Sequence, residues 1–550
     1  MAAIFAQFSA AVWSPPMLLL IVGTGIYLSA RTRLFQFVRF RHILEHTLFA
    51  IFRKKEVRRS RDQKSISQFQ ALATALAATT GTGNIAGVAA AITIGGPGAI
   101  FWMWISALFG MMTGYAENVL GICFRRRNAQ GEWAGGAMYY IEAGLSGIRA
   151  LRRFAKPLAA AFALFCALAS FGIGNVAQVN TVSEVLYATF STPRWVTGLF
   201  LTGAAALVIL GSIRRIARVT EKLVPFMSLF YVAAALAILL MNVNQIPYVF
   251  GTIIQNAFDP RAILGGTIAM GFRRGVFSNE AGLGSTVIVH AASDVKEPVQ
   301  QGMWSIFEVF FNTLVLCTLT AFALLSSTAS GLPRLEGANI TSQKQMISLT
   351  QTAGEIPLVG SKRNEIYQTS HLGGTIARLT VNGVEHAVLM KTPENARDFT
   401  YANVMLADAF DADGDGIFES VRFEEIAGVS LVTYAFSRHF GDAAGAILAA
   451  AILLFAFSTV LGWSFYGAKS AEYLFGARAV TPYRIAYILV IYIGAVMHQN
   501  FAWDAADALN GLMAIPNLIG VLCLSGLVVR ITQNYIARKI PKKRLSPRAG

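Results

Sequence analysis

Long apolar runs separated by short polar and basic turns set the pattern of this chain. They fall at about 17–30, 70–95, 99–123, 157–190, 195–213, 223–243, 263–290, 299–326, 442–467, 482–499 and 505–530. A helix needs about 20 apolar residues to cross a hydrocarbon core. Each run therefore predicts a membrane span, the first of them short. The expected fold class is all-α and integral to the membrane, with about eleven transmembrane helices. Two runs carry residues that a lipid-facing helix gains nothing from. Ala71–Ile94 has Thr79-Thr80-Gly81-Thr82-Gly83-Asn84 at its middle. Each glycine costs about 1 kcal/mol in a helix interior, and Thr and Asn side chains compete for nearby backbone groups. Ile263–His290 is interrupted by Phe277-Ser278-Asn279-Glu280-Ala281-Gly282-Leu283-Gly284. A helix broken at mid-membrane offers open N–H groups to a carboxylate and open carbonyls to a cation. Paired breaks of this kind point to a transporter's binding site.

Without the first span, ten remain, and they divide five and five with a broken span opening each half. Five is odd, so the halves run in opposite directions, as in an inverted repeat. The expected divisions are an N-terminal helix and basic segment (1–64), a first part of the core (65–326), an insertion (327–432), a second part of the core (433–530) and a basic tail (531–550). The insertion is polar, with short β-type segments. Asn382-Gly383, between Arg378-Leu379-Thr380-Val381 and Val384-Glu385, is a hairpin signal. A small β-rich extracytoplasmic domain is expected there.

Composition supports a membrane protein: 55% of residues are hydrophobic, 14% are charged and mean hydropathy is +0.52, where soluble domains carry about 25% charge. The net charge of +16 raises nucleic acid as a partner. That reading is set aside because the basic residues cluster in loops between apolar runs. Residues 31–64 are dense in Arg and Lys with interleaved aromatics. They read as a cytoplasmic amphipathic segment on anionic lipid rather than an RNA-binding patch. Arg125-Arg126-Arg127, Arg152-Arg153, Arg214-Arg215, Lys222, Lys296, Lys469, Arg478, Arg484 and the tail fall on one side. This places the N-terminus outside and the C-terminus inside, in the inner (cytoplasmic) membrane. Cys123, Cys166, Cys317 and Cys523 all sit in apolar runs without metal-ligand spacing. No basic n-region precedes the first run, so no cleaved signal peptide is expected.

The candidate chemistry lies within the spans. Carbonyls before the first break, at Ala77 and Thr80, suit a hard cation such as Na⁺. Amides after Asn84 suit a carboxylate, and Asn84 adds an amide oxygen. The plainer role for Gly81 and Gly83 is close helix packing. Glu280, with Arg273 and Arg274 nearby, would bind a cation, carry a proton or pair with an arginine. Glu117 and Glu308 lie in other spans. Ser458 and Thr459 stand about one turn before Trp463, so two hydroxyls complete a cation site and an indole walls a pocket, unless the hydroxyls bond back to their own helix. Gln178 is a further polar group in an apolar run. No H-E-x-x-H, nucleophile elbow or histidine cluster occurs, so an enzyme is not expected.

The stretches ATTGTGNIAGVAAAITIGGPGAIFWMW and RRGVFSNEAGLGS, with GGAMYYIEAGL at 135–145 and FSTVLGW at 457–463, resemble the alanine or glycine:cation symporters, also called sodium:alanine symporters. The resemblance covers most of 65–326 and 433–530. It implies a leucine-transporter-type 5+5 fold and Na⁺-coupled import of a small neutral amino acid by alternating access. It further implies that Gly81, Thr82, Gly83, Asn84, Gln178, Phe277, Ser278 and Trp463 line the amino-acid pocket. Ala77 and Thr80 would give Na⁺ carbonyls, and Ser458 and Thr459 hydroxyls. The large insertion departs from the family pattern.

Within the insertion, Asp411, Asp413 and Asp415 with Gly416 match the start of a calcium loop. The twelfth position, where a bidentate Glu is needed, is Arg422, so Glu419, Glu424 or Glu425 would have to supply the missing oxygens. The alternative is a solvated acidic turn. The function expected is a Na⁺–amino-acid symporter. The rivals are a proton-coupled symporter using Glu280 and an amino-acid sensor with an extracytoplasmic regulatory domain.

Overall fold

The computed structural model describes residues 12–329 apart from 265, six strand segments between 345 and 425, and 428–540 apart from 442 and 498. Among them, six helices are long and apolar enough to cross a membrane: Ala99–Phe124, Arg152–Phe190, Ile213–Met241, Pro298–Ser327, Ala443–Phe475 and Ala477–Val496. A seventh is counted if Ala508–Cys523 and Ser525–Lys539, bent by 58° at Leu524, form one span. Pro15–Arg31, Ala86–Gly95 and Arg194–Ile209 are shorter apolar helices. Pro15 and Pro16 open the first of these, where a missing N–H costs nothing.

Several helices overrun the apolar runs that announced them. Arg214, Arg215 and Lys222 lie in the opening turns of Ile213–Met241, and Arg152-Arg153 open Arg152–Phe171, rather than lying in loops. The helix expected over 442–467 continues to Phe475, where Lys469 is held by Glu472 at 2.8 Å and Glu132 at 3.4 Å. Long basic side chains carry their charge back to the polar zone, so the hydropathy edge and the helix end need not coincide. The run expected over 505–530 instead ends at Cys523 and turns.

Both interrupted runs are broken, though differently. In the first, Gln68–Thr79 is opened by a reciprocal cap between Ser67 and Gln70 and closes at Thr80. A 3-10 turn, Thr82–Asn84, then leads to Ala86–Gly95. In the second, Thr267–Asn279 stops at Glu280, which takes a left-handed φ of 56°, followed by Gly282 at 94° and Gly284 at 72°. Only one helical turn, Val287–His290, follows. The expected second half-helix is absent there because three left-handed residues within five leave no helical start before Thr286.

The two breaks are joined beyond the spans. The Ile66 N–H donates to the Ala292 carbonyl (3.2 Å) and the Asp294 N–H to the Ile66 carbonyl (2.8 Å). Arg125 donates to the carbonyls of Ala291 (2.9 Å), Ser293 (2.6 Å) and Val295. Its guanidinium and that of Arg127 each lie 4.0 Å from the centre of the Trp133 ring. The Lys64 N–H and Arg127 hold the Asp62 carboxyl below the usual carboxylate range.

In the insertion, Thr375–Val381 pairs antiparallel with Val384–Met390, Val381 opposite Val384. The expected turn at Asn382-Gly383 lies outside the described residues.

Pro298–Val309 and Thr267–Asn279 pack on Ala99–Phe124, while Ala443–Phe475 packs on Arg152–Phe171, Ala177–Phe190 and the first half of the first broken span. Gly172–Val176 widens into a π-helical turn. A Cβ on Gly174 would lie 2.2 Å from the Trp463 side chain, so only glycine lets this indole lie against the turn. Gly174→Ala should therefore lower the unfolding temperature in detergent, at an overpacking cost of about 1–3 kcal/mol. An unchanged or raised temperature, as helix propensity alone would give, would show that the close approach is not structural.

Candidate functional site

The first break is held by side chains from two other helices. The Gln178 side-chain oxygen accepts from the Thr82 N–H (3.1 Å) and the Thr82 hydroxyl (2.9 Å), while its amide donates to the Ile173 carbonyl (3.0 Å). Thr459 and Ser458 each donate to the Ala77 carbonyl, at 2.9 and 3.2 Å. Both hydroxyls also reach the Phe455 carbonyl of their own helix, at 3.1 and 2.8 Å. Back-bonding and a shared role at Ala77 therefore coexist. The Thr80 hydroxyl is fully buried and has no hydrogen-bond partner. A Cβ on Gly81 would sit 2.6 Å from the Thr459 hydroxyl and 2.9 Å from the Gln178 oxygen. Gly81 is thus glycine because two polar groups converge on it.

The amides fall somewhat further along than the sequence suggests. Asn84 and Ile85 donate to the Gly81 and Thr82 carbonyls, both at 3.2 Å. Ile85 then starts Ala86–Gly95 with no side-chain cap. The amides of that half-helix without intrahelical partners begin at Ala86.

Asn84 and Ser278 meet through Asn312, which the sequence reading did not single out. The Asn84 amide donates to the Asn312 side-chain and main-chain oxygens, and the Asn312 amide donates to the Ser278 carbonyl. The Asn84 side-chain oxygen is buried without a partner. The Ser278 hydroxyl meets Cys317 (3.1 Å) and Thr313 (3.4 Å). Phe277 faces Gly83, whose Cβ would lie 3.0 Å from the ring. The one sign of Asn312 in the sequence is an Asn inside the apolar stretch Phe310–Cys317, which forms a π-helical segment.

The second break hangs on buried glutamates. Glu280 accepts from the Ser285 hydroxyl and from the Trp463 indole N–H (3.1 Å). These donors are neutral, and the Arg274 guanidinium lies 5.6 Å from the Phe277 ring centre. Glu117 accepts from the Gly282 N–H (3.0 Å) and the Asn517 amide (2.6 Å). Asn517 also donates to the Gly282 carbonyl (2.8 Å) and accepts from the Tyr140 hydroxyl. Ala77, Thr80, Gly81, Thr82, Gln178, Ser458 and Thr459 therefore form one cluster. Asn84 and Ser278 share Asn312, and Trp463 touches the second break through Glu280. The calcium candidates Asp411, Asp413, Asp415 and Glu419 lie outside the described residues. Among the described residues no group of three or more His, Cys, Asp or Glu side chains is arranged to hold a metal ion.

Interrupted apolar helices lined by neutral hydroxyls and amides define a multi-pass membrane transport protein. The chain belongs to the sodium:alanine symporter family, whose profile matches residues 1–359 and 413–548. The unmatched stretch, 360–412, lies within the expected insertion. The chain is 40% identical over 528 residues to the sodium/alanine symporter AgcS of Methanococcus maripaludis, covering 95% of both chains. It is 36% identical over 537 residues to an uncharacterized transporter of Haemophilus influenzae, covering 96% of this chain and 94% of that one. To the probable sodium/glutamine symporter GlnT of Bacillus subtilis it is 32% identical over 533 residues, covering 96% and 89%. Among solved structures, a manganese transporter of Eremococcus coleocola matches at a TM-score of 0.41 and 12% identity, covering 86% and 88%. Family membership places the chain among amino-acid–cation symporters, which are transporters and not enzymes.

Asn312→Ala leaves the Asn84 amide and the Ser278 carbonyl buried without their partner. It should destabilise the protein by about 1–3 kcal/mol, seen as a lower unfolding midpoint in detergent. A midpoint equal to that of the wild type would mean that Asn312 does not hold the two breaks together.

Proposed function

We propose that the chain imports a small neutral amino acid, alanine or glycine, together with Na⁺ by alternating access across the inner (cytoplasmic) membrane. In this reading eleven spans form a leucine-transporter-type arrangement of two inverted five-span halves after the first span. The N-terminus is outside, the C-terminus inside, and 327–432 is a β-rich domain outside. The observation that carries the reading is the convergence of Ser458 and Thr459 on the Ala77 carbonyl at the first break. The names of the relatives, one for sodium and alanine and one for sodium and glutamine, support the ion and the substrate class.

Na⁺ would sit among the Ala77 carbonyl and the hydroxyls of Thr80, Ser458 and Thr459, with the Thr80 carbonyl available beside them. The donors are neutral oxygens. A monovalent ion gains coordination there, whereas a divalent ion would lack the carboxylates it prefers. The Ser458 and Thr459 hydroxyls now donate to Ala77, and on ion arrival they would rotate so that their lone pairs face the cation. The unpartnered Thr80 hydroxyl needs no such rearrangement. The substrate carboxylate would use the first-turn amides of Ala86–Gly95. Gly81, Thr82, Gly83, Asn84, Gln178, Phe277, Ser278 and Trp463 would line the pocket, with Ser278 contributing through its backbone. The Thr459, Gln178 and Phe277 side chains press closely on Gly81 and Gly83, which favours a substrate with a small side chain. Ion and substrate would share the break, so binding of one would order the backbone for the other.

Radiolabelled alanine should accumulate in proteoliposomes under an inward Na⁺ gradient and not under an equal K⁺ gradient. Thr459→Val should weaken the apparent Na⁺ affinity by about tenfold, the loss of roughly one ligand worth ~1.4 kcal/mol. Equal uptake with K⁺, or a Thr459→Val protein with unaltered Na⁺ dependence, would sink the coupling site.

A further inference from the structure

A cavity of about 340 Å³ lies away from both breaks, and no residue of either broken span lines it. Its walls are the loop after Ala99–Phe124, the turn between Arg194–Ile209 and Ile213–Met241, the last turns of Ala443–Phe475 and the start of Val480–Val496. Sites for small molecules begin at about this size. Lys469 and Arg484, both in its wall, belong to the basic set that marks the inner side, so in the proposed orientation the cavity belongs to the cytoplasmic face.

Four charged side chains meet here, two of each sign, and they are unequally satisfied. Lys469 donates to Glu472 (2.8 Å) and, more loosely, to Glu132 (3.4 Å). The other Glu472 oxygen accepts from the Asn128 amide (2.9 Å), so Glu472 is fully engaged. Glu132 uses one carboxylate oxygen on Lys469, and among the described residues its other oxygen accepts no hydrogen bond. Arg484 gives one guanidinium nitrogen to the Gly211 carbonyl (2.8 Å) and keeps further N–H donors. Beside it, Ser212 precedes Ile213–Met241 without capping it through its side chain, so the first amides of that helix have no intrahelical partner. One wall thus has spare capacity for an anion and another for a cation. The four charges sum to zero. A ligand with a single net charge would leave one of them unbalanced, whereas a zwitterion would not. Leu210, Phe465 and Val480 complete the lining and suit an uncharged side chain.

The cavity walls also reach the first break. Lys469 stands about three turns beyond Thr459 on the same helix. Ile213–Met241 packs on Gln68–Thr79, where the Thr220 and Thr74 hydroxyls meet at 2.9 Å and the Gln70 amide donates to Glu221 at 2.8 Å. A ligand bridging Arg484 and Glu132 would tie together the ends of the elements that hold the first half of that broken span.

We propose that this cavity is a second amino-acid site, which takes a free neutral α-amino acid with its carboxylate on Arg484 and its ammonium on Glu132, and which slows import when filled from the cytoplasm. Binding stands on the cavity alone. The slowing rests on the reading of the chain as an importer with this face inside.

Labelling at the cavity tests the binding. Thr481 is exposed at the cavity wall, so Thr481→Cys in detergent and Na⁺-free buffer should react with a polar maleimide, read by mass spectrometry of that peptide. Saturating alanine should slow this reaction by roughly tenfold. Acetate or methylammonium, each with half of the ligand's charge, should not, and adding Glu132→Gln should abolish the protection by alanine. Unchanged labelling with alanine, or protection that survives Glu132→Gln, overturns the site. So does protection seen only in nanodiscs of an ethanolamine phospholipid, whose headgroup carries the same two charges. For the slowing, labelled alanine is driven by Na⁺ into proteoliposomes with and without luminal alanine. Each protein is compared with its own uptake into empty vesicles. Luminal alanine should slow the wild type more than Glu132→Gln, and equal ratios overturn the regulatory role. Absence of Na⁺-driven entry would sink the symport reading, while the labelling still decides the cavity.

Discussion

Backbone groups inside hydrocarbon must find partners within the protein, and the two breaks in this chain violate the helical solution to that demand. What replaces it is a set of side chains drawn from elsewhere in the sequence. Gln178 serves Thr82, Ser458 and Thr459 serve Ala77, Asn312 serves Ser278, and Glu117 with Asn517 serves Gly282. Each provider sits on a helix that must be packed in place before the break is satisfied. The packing of Ala443–Phe475 against the first broken span, and of Ala99–Phe124 against the second, follows from this. The breaks are thus the least self-sufficient segments of the fold and the ones that organise it.

This dependence also explains what the sequence revealed and what it hid. The breaks were legible because Gly, Thr and Asn are costly in an apolar run, and Gly81, Gly83, Gly282 and Gly284 mark both places. The helix ends were less legible, because Arg152 and Arg214 continue helices that hydropathy closes early. The second break misled more. Its glycines announced an interruption, but not that Glu280, Gly282 and Gly284 would all be left-handed and leave one helical turn beyond. Gln178, Ser458, Thr459 and Trp463 were visible as polar or bulky residues in apolar spans, and the fold brings them to the breaks. Asn312, Asn517 and Gln301 are of the same kind, and nothing in their local sequence sets them apart. A single polar residue in a span does not say which neighbour it satisfies until the packing is known.

The three buried glutamates show how the same constraint shapes electrostatics. Glu117, Glu280 and Glu308 are each almost wholly excluded from solvent. Each is tied to a different donor set: a backbone amide and Asn517 for Glu117, a hydroxyl and an indole for Glu280, and an imidazole for Glu308. The first two sets are neutral and cannot change their charge within the working range of a cell. The third is the His290 ring, whose other nitrogen meets the Gln301 side chain.

That ordering separates two jobs that broken helices are often asked to do together. The first break offers neutral oxygens at Ala77, Thr80, Ser458 and Thr459, the set proposed above for a monovalent cation. The second break is held by buried carboxyl groups, Glu117 and Glu280, through amide, hydroxyl and indole donors. Thr79 stands beside the neutral set and also touches Glu308. Displacement of the first half-helix would therefore be felt at both places through one residue. Thr79 lies between Ala77 and Thr80, so a shift of the backbone there also moves the residue that touches Glu308.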